Sequence, residues 1–238
     1  MNDDRLTRSY PANYDAHARS VPPDAHWKQV RRTVAGEPVD AAQIGFIIEA
    51  IAAGLDLART DVVLDLACGN GALSSRLFDR CAGLVGVDIS PYLIEIAQKD
   101  FGRLPNCRFH AEDAVAYLKR ERDTSAFTKA LFYGAFQYFA RADAVVALQT
   151  LHERFQHVSK VFIGNVPDKS RVAGFHRADA PDEADLNDHE AKFGIWYLPQ
   201  ELEAIGRAAG WRASVSYMPA QFYASRYRFD VTLERAQR

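Results

Sequence analysis

The sequence is short of the features that mark several protein classes. Lys and Arg total 29 against 31 for Asp and Glu, so the net charge is −2 and there is no basic excess. Because phosphate backbones are held chiefly by Lys and Arg, this balance argues against a nucleic-acid substrate. No run approaches the roughly 18 apolar residues of a membrane span, and residues 1–5 lack the apolar core of a signal peptide. We therefore expect no nucleic-acid partner and no membrane association.

Cysteine is scarce as well. The three cysteines, Cys68, Cys81 and Cys107, are odd in number and have no metal-ligand spacing. This pattern favours a reducing, cytoplasmic location and gives no reason to expect a metal site. At 238 residues the chain is long enough for one domain with a sizeable core and room for a lid.

The stretch from Asp61 to Leu73 has the pattern of a strand, a tight turn and a helix. The run 62–66 is apolar except for Asp65, as in a strand buried on both faces of a parallel sheet. Gly69 and Gly71 permit positive φ and let a ligand approach the backbone closely. This order of elements is typical of a nucleotide-binding βαβ unit.

A second apolar run, 84–88, strengthens this interpretation. It ends at Asp88, which follows Gly69 at close to the roughly 20-residue spacing at which a carboxylate meets ribose hydroxyls. The dinucleotide-binding fingerprint would need a third glycine, and Ser74 stands there instead. The motif Asp65-x-x-x-Gly69-x-Gly71 resembles the first motif of class I S-adenosylmethionine-dependent methyltransferases.

This resemblance implies a cofactor, S-adenosyl-L-methionine, and a set of residues that hold it. The backbone at Ala67, Gly69 and Gly71 would lie against the methionine part, with Asp65 near its ammonium. Asp88 would accept from the ribose hydroxyls. The full implied set is Tyr14, Asp65, Ala67, Gly69, Asn70, Gly71, Asp88, Ile89, Glu112, Asp113 and Ala114.

Several members of this set also have simpler interpretations. Asn70 can contact the cofactor or cap the helix that follows, and Ile89 can pack on the adenine or in the core. Among Glu112, Asp113 and Ala114, Asp113 best matches the family's acid for the adenine amino group, although it also suits a helix N-cap. Tyr14 can reach the methionine carboxylate, as in the family, or serve as a packing anchor.

The resemblance also implies an α/β fold. This is the Rossmann-like, doubly wound, seven-stranded sheet of order 3-2-1-4-5-7-6, with strand 7 antiparallel. Apolar patterning predicts strands near 61–67, 83–88, 107–111, 127–133, 158–165, 211–217 and 228–235. Helices are predicted near 71–81, 91–101, 113–121, 142–156 and 198–209, besides one that Asp40 caps. Residues 1–40 are interpreted as an N-terminal helical lid or arm with short helices at 13–20 and 24–34, and residues 41–238 as the methyltransferase domain.

The acceptor side is expected beyond the fourth strand, where open α/β sheets bind ligands. The segment 130–139 departs from the Asp/Asn-Pro-Pro-Tyr/Phe motif of amino-directed DNA and protein-glutamine methyltransferases. Tyr133 and Gln137 are candidate catalytic residues there, although most aromatic side chains of this segment are expected in the core. In the long polar loop that follows strand five, His176 is a candidate general base or a bystander.

The motif and the acceptor-side residues together predict a function. We predict an enzyme that methylates the oxygen of a small hydroxylated molecule, such as a sugar or a glycan-biosynthesis intermediate, as a monomer or homodimer. The alternatives are N-methylation of a small amine and a non-catalytic subunit that binds the cofactor. Residues 179–190 hold six acidic residues and no Lys or Arg, which suits a solvated loop or a contact for a cationic acceptor.

Overall fold

The computed structural model describes residues 10–175 and 181–236 of the chain. A seven-stranded sheet lies at its centre, with strands β1 (Val62–Leu66), β2 (Gly83–Asp88), β3 (Cys107–Ala111), β4 (Lys129–Tyr133), β5 (Lys160–Pro167), β6 (Trp211–Ser216) and β7 (Arg228–Arg235). The strands lie in the order β3-β2-β1-β4-β5-β7-β6. Strands β1 to β5 are parallel, whereas β7 is antiparallel to both β5 and β6. The expected strand order and the reversed seventh strand are confirmed.

Within the described residues, seven α-helices accompany the sheet: α1 (Tyr10–Arg19), α2 (His26–Gln29), α3 (Ala41–Leu55), α4 (Pro91–Ile96), α5 (Ala114–Arg120), α6 (Arg141–Arg154) and α7 (Pro199–Ala208). A π-helical turn, Ala97–Phe101, extends α4. Short 3-10 helices form at Ser74–Arg80, Thr124–Ala126, Phe136–Tyr138, Lys169–Gly174 and Glu183–Asn187. No helix of the described residues is long and apolar enough to cross a membrane.

The buried apolar side chains form two clusters. Leu64 and Leu66 of β1 belong to one cluster and Val63 to the other. Since side chains alternate along a strand, the clusters lie on opposite faces of the sheet. Helix α3 belongs to the second cluster and starts as predicted, with the Asp40 side chain accepting from the Gln43 N–H at 2.9 Å.

The helix predicted at 71–81 is instead a 3-10 helix that starts at Ser74. Gly71 has a φ of 73°, which is outside the helical region. The Asn70 carboxamide oxygen accepts from the Ala72 N–H at 3.2 Å and closes a turn there. The glycine turn therefore uses three residues that periodicity alone assigned to the helix.

The prediction of a helix at 24–34 is wrong beyond Gln29, where α2 ends. Helix α2 has four residues, and Arg31 follows it with a φ of 51°. Thr33–Val34 then pairs with Glu37–Pro38 in a small antiparallel hairpin. Its two turn residues, Ala35 and Gly36, both have positive φ, as two-residue hairpin turns require.

Candidate functional site

A cavity of about 830 Å³ opens at the carboxyl ends of β1, β2, β4 and β5. Its volume lies within the range of small-molecule sites, roughly 300–1,000 Å³. The structure brings most of the predicted site residues to this one cavity. The predicted residues that line it are Tyr14, Asp65, Ala67, Gly69, Asn70, Asp88, Ile89, Asp113, Ala114, Tyr133 and Gln137.

Two predicted site residues of the described ranges are not in that lining. Gly71 packs inward, since a Cβ there would lie 2.9 Å from the Phe109 Cζ and 3.0 Å from the Ala97 Cβ. Glu112 is engaged elsewhere, because its two carboxylate oxygens accept from the Arg120 Nε at 2.7 and 2.9 Å. His176 lies outside the described residues.

Asp88 is fixed by the backbone at the end of β2. Its Oδ2 accepts from the Gly69 N–H at 2.8 Å, and its Oδ1 accepts from the Ser90 N–H at 2.9 Å. Burial raises the pKa of Asp88 above its usual range, and these two hydrogen bonds oppose that shift. The carboxylate therefore cannot rotate without losing a backbone contact.

Asp65 lies deeper, with 3% of its surface exposed, and its Oδ2 accepts from the Ser74 hydroxyl at 2.6 Å. Burial is the main cause that raises the pKa of Asp65 to about 7, while the Ser74 hydrogen bond lowers it. The charge of Asp88 raises this pKa further and the Arg32 guanidinium lowers it. Asp65 thus experiences a neighbouring carboxylate and a neighbouring cation in the same cavity.

The turn between β1 and the 3-10 helix is held in unusual backbone conformations. Ala67, Gly69 and Gly71 have φ values of 62°, 60° and 73°. A Cβ on Gly69 would lie 3.0 Å from the Val30 Cγ1, so the N-terminal segment packs directly on this glycine. Burial keeps the pKa of the Cys68 thiol well above its usual range, which agrees with a space-filling residue and not a nucleophile.

Asn70 joins the turn to the N-terminal segment. Its side-chain nitrogen donates to the His26 carbonyl and to the Gln29 Oε1, both at 2.8 Å. Its oxygen accepts from the Ala72 N–H. Both ends of the amide have protein partners, which favours the capping interpretation of Asn70 over direct cofactor contact.

The N-terminal segment covers this side of the cavity. The Tyr14 hydroxyl donates to the Val30 carbonyl at 2.6 Å, and the His26 ring nitrogen lies 2.8 Å from the Asp100 Oδ2. Asp15 also contacts the Ser90 hydroxyl. Because the proton of Tyr14 is used by Val30, the hydroxyl does not donate to the carboxylate of a ligand in this arrangement.

The ends of β2 and β3 supply two further contacts to the cavity. Ile89 is 50% exposed, which is unusual for a large apolar side chain and fits a ligand contact better than a core position. Asp113 caps α5, since its Oδ1 accepts from the Ala116 N–H at 2.8 Å. It also lines the cavity, so the N-cap interpretation is confirmed and the contact to the adenine amino group stays a prediction.

The segment 130–139, at the end of β4 and beyond it, divides between core and cavity, and more of its aromatic side chains line the cavity than expected. Phe132 and Phe136 are fully buried in the core, whereas Tyr133, Tyr138 and Phe139 line the cavity. The Gln137 side-chain nitrogen donates to the Gly134 carbonyl at 3.1 Å. Within the described chain, the buried Gln137 Oε1 and the buried Tyr133 hydroxyl have no hydrogen-bond partner.

Sequence reasoning missed Arg32, Asn165 and Arg228, which also line the cavity. The Arg32 guanidinium carbon lies 4.9 Å from the Tyr133 ring centroid. Its Nε and Nη1 are buried and have no hydrogen-bond partner among the residues described. No spacing in the sequence relates these three residues to one another, so only the fold brings them together.

The acidic stretch 179–190 is described from residue 181 onward. Leu186 is buried and its carbonyl accepts from the Trp196 N–H at 2.9 Å, so the segment packs on the core. The described residues contain no group of three or more His, Cys, Asp or Glu that could hold a metal ion.

Sequence comparison connects this geometry to known proteins. Residues 63–157 match the family model described as a methyltransferase domain. An uncharacterised methyltransferase of Schizosaccharomyces pombe is 40% identical over 45 residues, which is 19% of this chain and 17% of that protein.

Solved structures share the fold. A phosphoethanolamine N-methyltransferase of Haemonchus contortus, in complex with phosphoethanolamine and S-adenosylhomocysteine, has a TM-score of 0.71 at 14% identity, over 99% of this chain and 50% of that chain. The magnesium protoporphyrin IX methyltransferase of Synechocystis PCC 6803, with bound S-adenosylhomocysteine, has a TM-score of 0.60 at 14% identity, over 98% of this chain and 100% of that chain. The 1,6-didemethyltoxoflavin N1-methyltransferase of Burkholderia thailandensis has a TM-score of 0.62 at 15% identity, over 100% and 92% of the two chains. At these identities the likeness concerns the fold.

Proposed function

Because the chain carries a methyltransferase domain in the class I fold, we propose that it is an enzyme that transfers a methyl group from S-adenosylmethionine to an oxygen of a small hydroxylated molecule. A sugar or a glycan-biosynthesis intermediate is the acceptor class to test first. The proposal includes a cytoplasmic location, a monomer or homodimer, and no nucleic-acid substrate, for which the net charge of −2 is the support.

One observation carries this proposal. Asp65 and Asp88 line the same cavity, and the charge of Asp88 raises the pKa of Asp65. Adenosine hydroxyls and an ammonium are hydrogen-bond donors, so two carboxylates suit them, whereas a pyrophosphate would be repelled. The Gly69 turn leaves bare backbone beside these carboxylates for the methionine part to lie against.

Arg32 adds a positive charge, which the cofactor-binding residues predicted from the sequence do not include. A free methionine group has an ammonium and a carboxylate next to each other, and Asp65 and Arg32 are electrostatically coupled in the cavity. Two buried guanidinium nitrogens of Arg32 lack protein partners within the described ranges, so this cation has hydrogen-bond donors left for a carboxylate. We assign Arg32 to the methionine carboxylate and Asp65 to the ammonium.

The chain's main contribution to the chemistry would be alignment. The cofactor, when bound, supplies an activated methyl group on a sulfonium, and its leaving group is neutral. The residues around the cavity then hold the acceptor in line and exclude water, and such positioning is worth roughly 7–11 kcal/mol. The N-terminal segment supports this role, because Gln29 of α2 accepts from Asn70 of the glycine turn and Tyr14 of α1 donates to the Val30 carbonyl.

The proposed catalytic residues have different tasks. Burial raises the pKa of Tyr133 well above its usual range, so Tyr133 stays a neutral phenol and serves as a hydrogen-bonding group rather than a base. Gln137 orients the acceptor through its unpaired oxygen. Removal of the acceptor proton is left to His176, which remains a sequence-based proposal.

The electrostatics of the acceptor half favour oxygen over nitrogen as the methylated atom. Arg228 and Lys192 line this half together with one carboxylate, Asp143, and Arg32 lies at its border with the cofactor half. Cations repel a protonated amine, and this argues against the alternative of N-methylation at neutral pH. A non-catalytic subunit that binds the cofactor is the other alternative, and it would need no ordered acceptor pocket.

Isothermal titration with S-adenosylmethionine, followed by transfer assays with labelled cofactor on matched panels of hydroxyl and amine acceptors, tests the proposal. We expect one cofactor site per chain and label in a hydroxyl compound. Label found only in amines would favour N-methylation. Cofactor binding without transfer to any compound, together with copurification of a partner, would favour the non-catalytic subunit.

A further inference from the structure

Strand β5 is interrupted where it reaches the cavity. Ile163 pairs with Val231, but the next pair is Val166 with Phe229, so β5 has one more residue than β7 between the two pairs. This is a β-bulge, which commonly redirects a side chain next to a functional site. Asn165 lies in the bulge with a φ of 63°, a left-handed conformation that asparagine tolerates better than most residues.

Two side chains of β7 fix the backbone of this bulge. The Asn165 N–H donates to the Asp230 Oδ1 at 2.6 Å, and the Arg228 guanidinium donates to the Asn165 carbonyl. Asp230 is 2% exposed and therefore has little freedom to move. With both backbone groups held, the direction of the Asn165 side chain is set by the fold.

That side chain lies at the cavity, close to the start of the segment after β4. The position of a Cβ on Gly134 would be 3.4 Å from the Asn165 Nδ2 and 3.8 Å from the Arg32 Nη2. Gly134 therefore leaves space between these two groups. The Asn165 Oδ1 is buried and, within the described residues, has no hydrogen-bond partner.

Gln137 presents a second carbonyl of the same kind. It is 2% exposed, and because its side-chain nitrogen is bound by the Gly134 carbonyl, its Oε1 is the end left over. That oxygen is buried and also lacks a partner in the part of the chain that the structure describes. Buried carbonyl oxygens require donors, and a ligand in the cavity is the available source.

We propose that Asn165 and Gln137 form a two-carbonyl subsite that recognises an uncharged ring with two neighbouring hydroxyl groups. The inference deepens the proposed function and rests on it for the identity of the cavity as the acceptor site. Aromatic residues that line the same cavity, among them Tyr223, Tyr227 and Phe193, supply apolar walls for the ring. Asp230 and Arg228 act as positioning residues for Asn165.

An anionic acceptor is the competing possibility, since arginines line this half. Arg228, however, already donates to the Asn165 carbonyl, and its guanidinium also lies 5.6 Å from the Tyr227 ring centroid. Arg32 is assigned to the methionine carboxylate. Lys192, the third cation of this half, lies over the Phe193 ring, with its Nζ 5.0 Å from the ring centroid, and Asp143 of the same lining would repel an anion. Asn165 and Gln137 are the neutral hydrogen-bond acceptors beside them.

Ligand-detected NMR on the full chain tests the subsite with three matched probes: cis-1,2-cyclohexanediol, cyclohexanol and cyclohexanecarboxylate. We expect the diol to bind at least tenfold more tightly than the alcohol. Equal binding of diol and alcohol, or tightest binding of the carboxylate, would overturn the proposal. The titration needs neither cofactor nor turnover, so it is read separately from a failure of the methyltransferase function itself.

The variant Asn165→Gly separates recognition from structure. Glycine adopts the left-handed conformation without strain, so we expect Tm to be kept or raised while the preference for the diol is lost. Asp56→Gly is the matched control. Asp56, like Asn165, has a positive φ, in its case 50°, but it does not line the cavity. That control should keep the preference.

A conservative variant completes the test. Asn165→Asp tolerates the same backbone and still accepts hydrogen bonds, so it should retain the diol preference. If Asn165→Gly instead lowers Tm and leaves the preference intact, the side chain is only structural and the proposal fails.

Discussion

The two halves of the cavity satisfy their polar groups in opposite ways. On the side of β1 to β3, the protein itself supplies partners: Asp88 is held by two backbone N–H groups, Asp65 by Ser74, and Asp113 by the Ala116 N–H. On the side of β4, β5 and β7, buried polar atoms of Tyr133, Gln137 and Asn165 have no partner among the described residues.

This contrast separates two kinds of recognition. The side of β1 to β3, which we propose as the cofactor half, is preorganised, since its carboxylates are fixed before any ligand arrives and little reorganisation is needed on binding. The side of β4, β5 and β7, proposed as the acceptor half, would be completed by its ligand, because unpaired buried groups make the wrong ligand costly. A site of that kind rejects a compound that lacks the matching donor.

Adding a side chain to the glycine turn of the cofactor half should have the largest effect on cofactor affinity. Gly69→Val places a β-branched side chain at a φ of 60°, with its Cβ 3.0 Å from the Val30 Cγ1. We expect cofactor affinity to fall at least about 100-fold, measured by isothermal titration, which corresponds to about 2.7 kcal/mol. Gly45→Ala is the control: no atom lies within 4 Å of its Cβ position, so affinity should not change. Normal affinity of Gly69→Val would contradict the site.

The next largest effect is expected from the carboxylate at the end of β2. Asp88→Ala should weaken cofactor binding by roughly 1.5–3 kcal/mol, as charge-assisted hydrogen bonds to the ribose are lost. Glu112→Ala is the matched control, because that carboxylate is bound by Arg120 and is not in the cavity lining. A change in dissociation constant for Glu112→Ala but not for Asp88→Ala would reverse the assignment of the two acids.

The pKa of Asp65 gives the cofactor half a pH dependence. Its folded-state pKa is raised to about 7, so the carboxyl is mostly protonated at pH 6 and must lose that proton to pair with an ammonium. Affinity should therefore rise about sixfold from pH 6 to pH 7.5, and fall again above roughly pH 8 as the cofactor amine loses its proton. Titrations across this range check it. A flat profile in wild type, or an unchanged profile in Asp65→Asn, would count against the assignment.

The smallest effect concerns the border between the halves. Arg32→Lys keeps the charge but loses the planar fork, so cofactor affinity should fall about fivefold, or about 1 kcal/mol. The diol preference of the acceptor half should stay the same. Arg76→Lys, at an exposed position that is not in the cavity lining, is the control. If Arg32→Lys changes acceptor binding and not cofactor binding, Arg32 belongs to the acceptor half.

The cofactor half could be predicted from the sequence because its signals are local. A buried strand, an acid and two glycines lie within one stretch, and Asp88 follows at a fixed distance along the chain. Sheet order came from the resemblance to a family, and the strands themselves from apolar runs that are buried on both faces. The Asp113 N-cap was likewise predictable from its place before α5.

The acceptor half could not be predicted, because its residues come from distant parts of the chain. Asn165 reaches the cavity through a bulge that β7 holds in place, and a strand pattern gives no sign of that extra residue. Arg32 reaches Tyr133 only because Arg31 and Ala35 adopt left-handed conformations that end α2 and form the hairpin. Positive φ at non-glycine residues has a weak sequence signal. Sequence patterns therefore miss non-glycine residues with positive φ where tertiary contacts determine the backbone conformation.

The most direct test of the account is isothermal titration of the wild-type chain with S-adenosylhomocysteine at pH 7.5. The account predicts saturable binding at one site per chain that Asp65→Asn and Asp88→Ala each weaken. Absence of binding, or binding that neither substitution changes, would contradict the claim that these two carboxylates form a cofactor site.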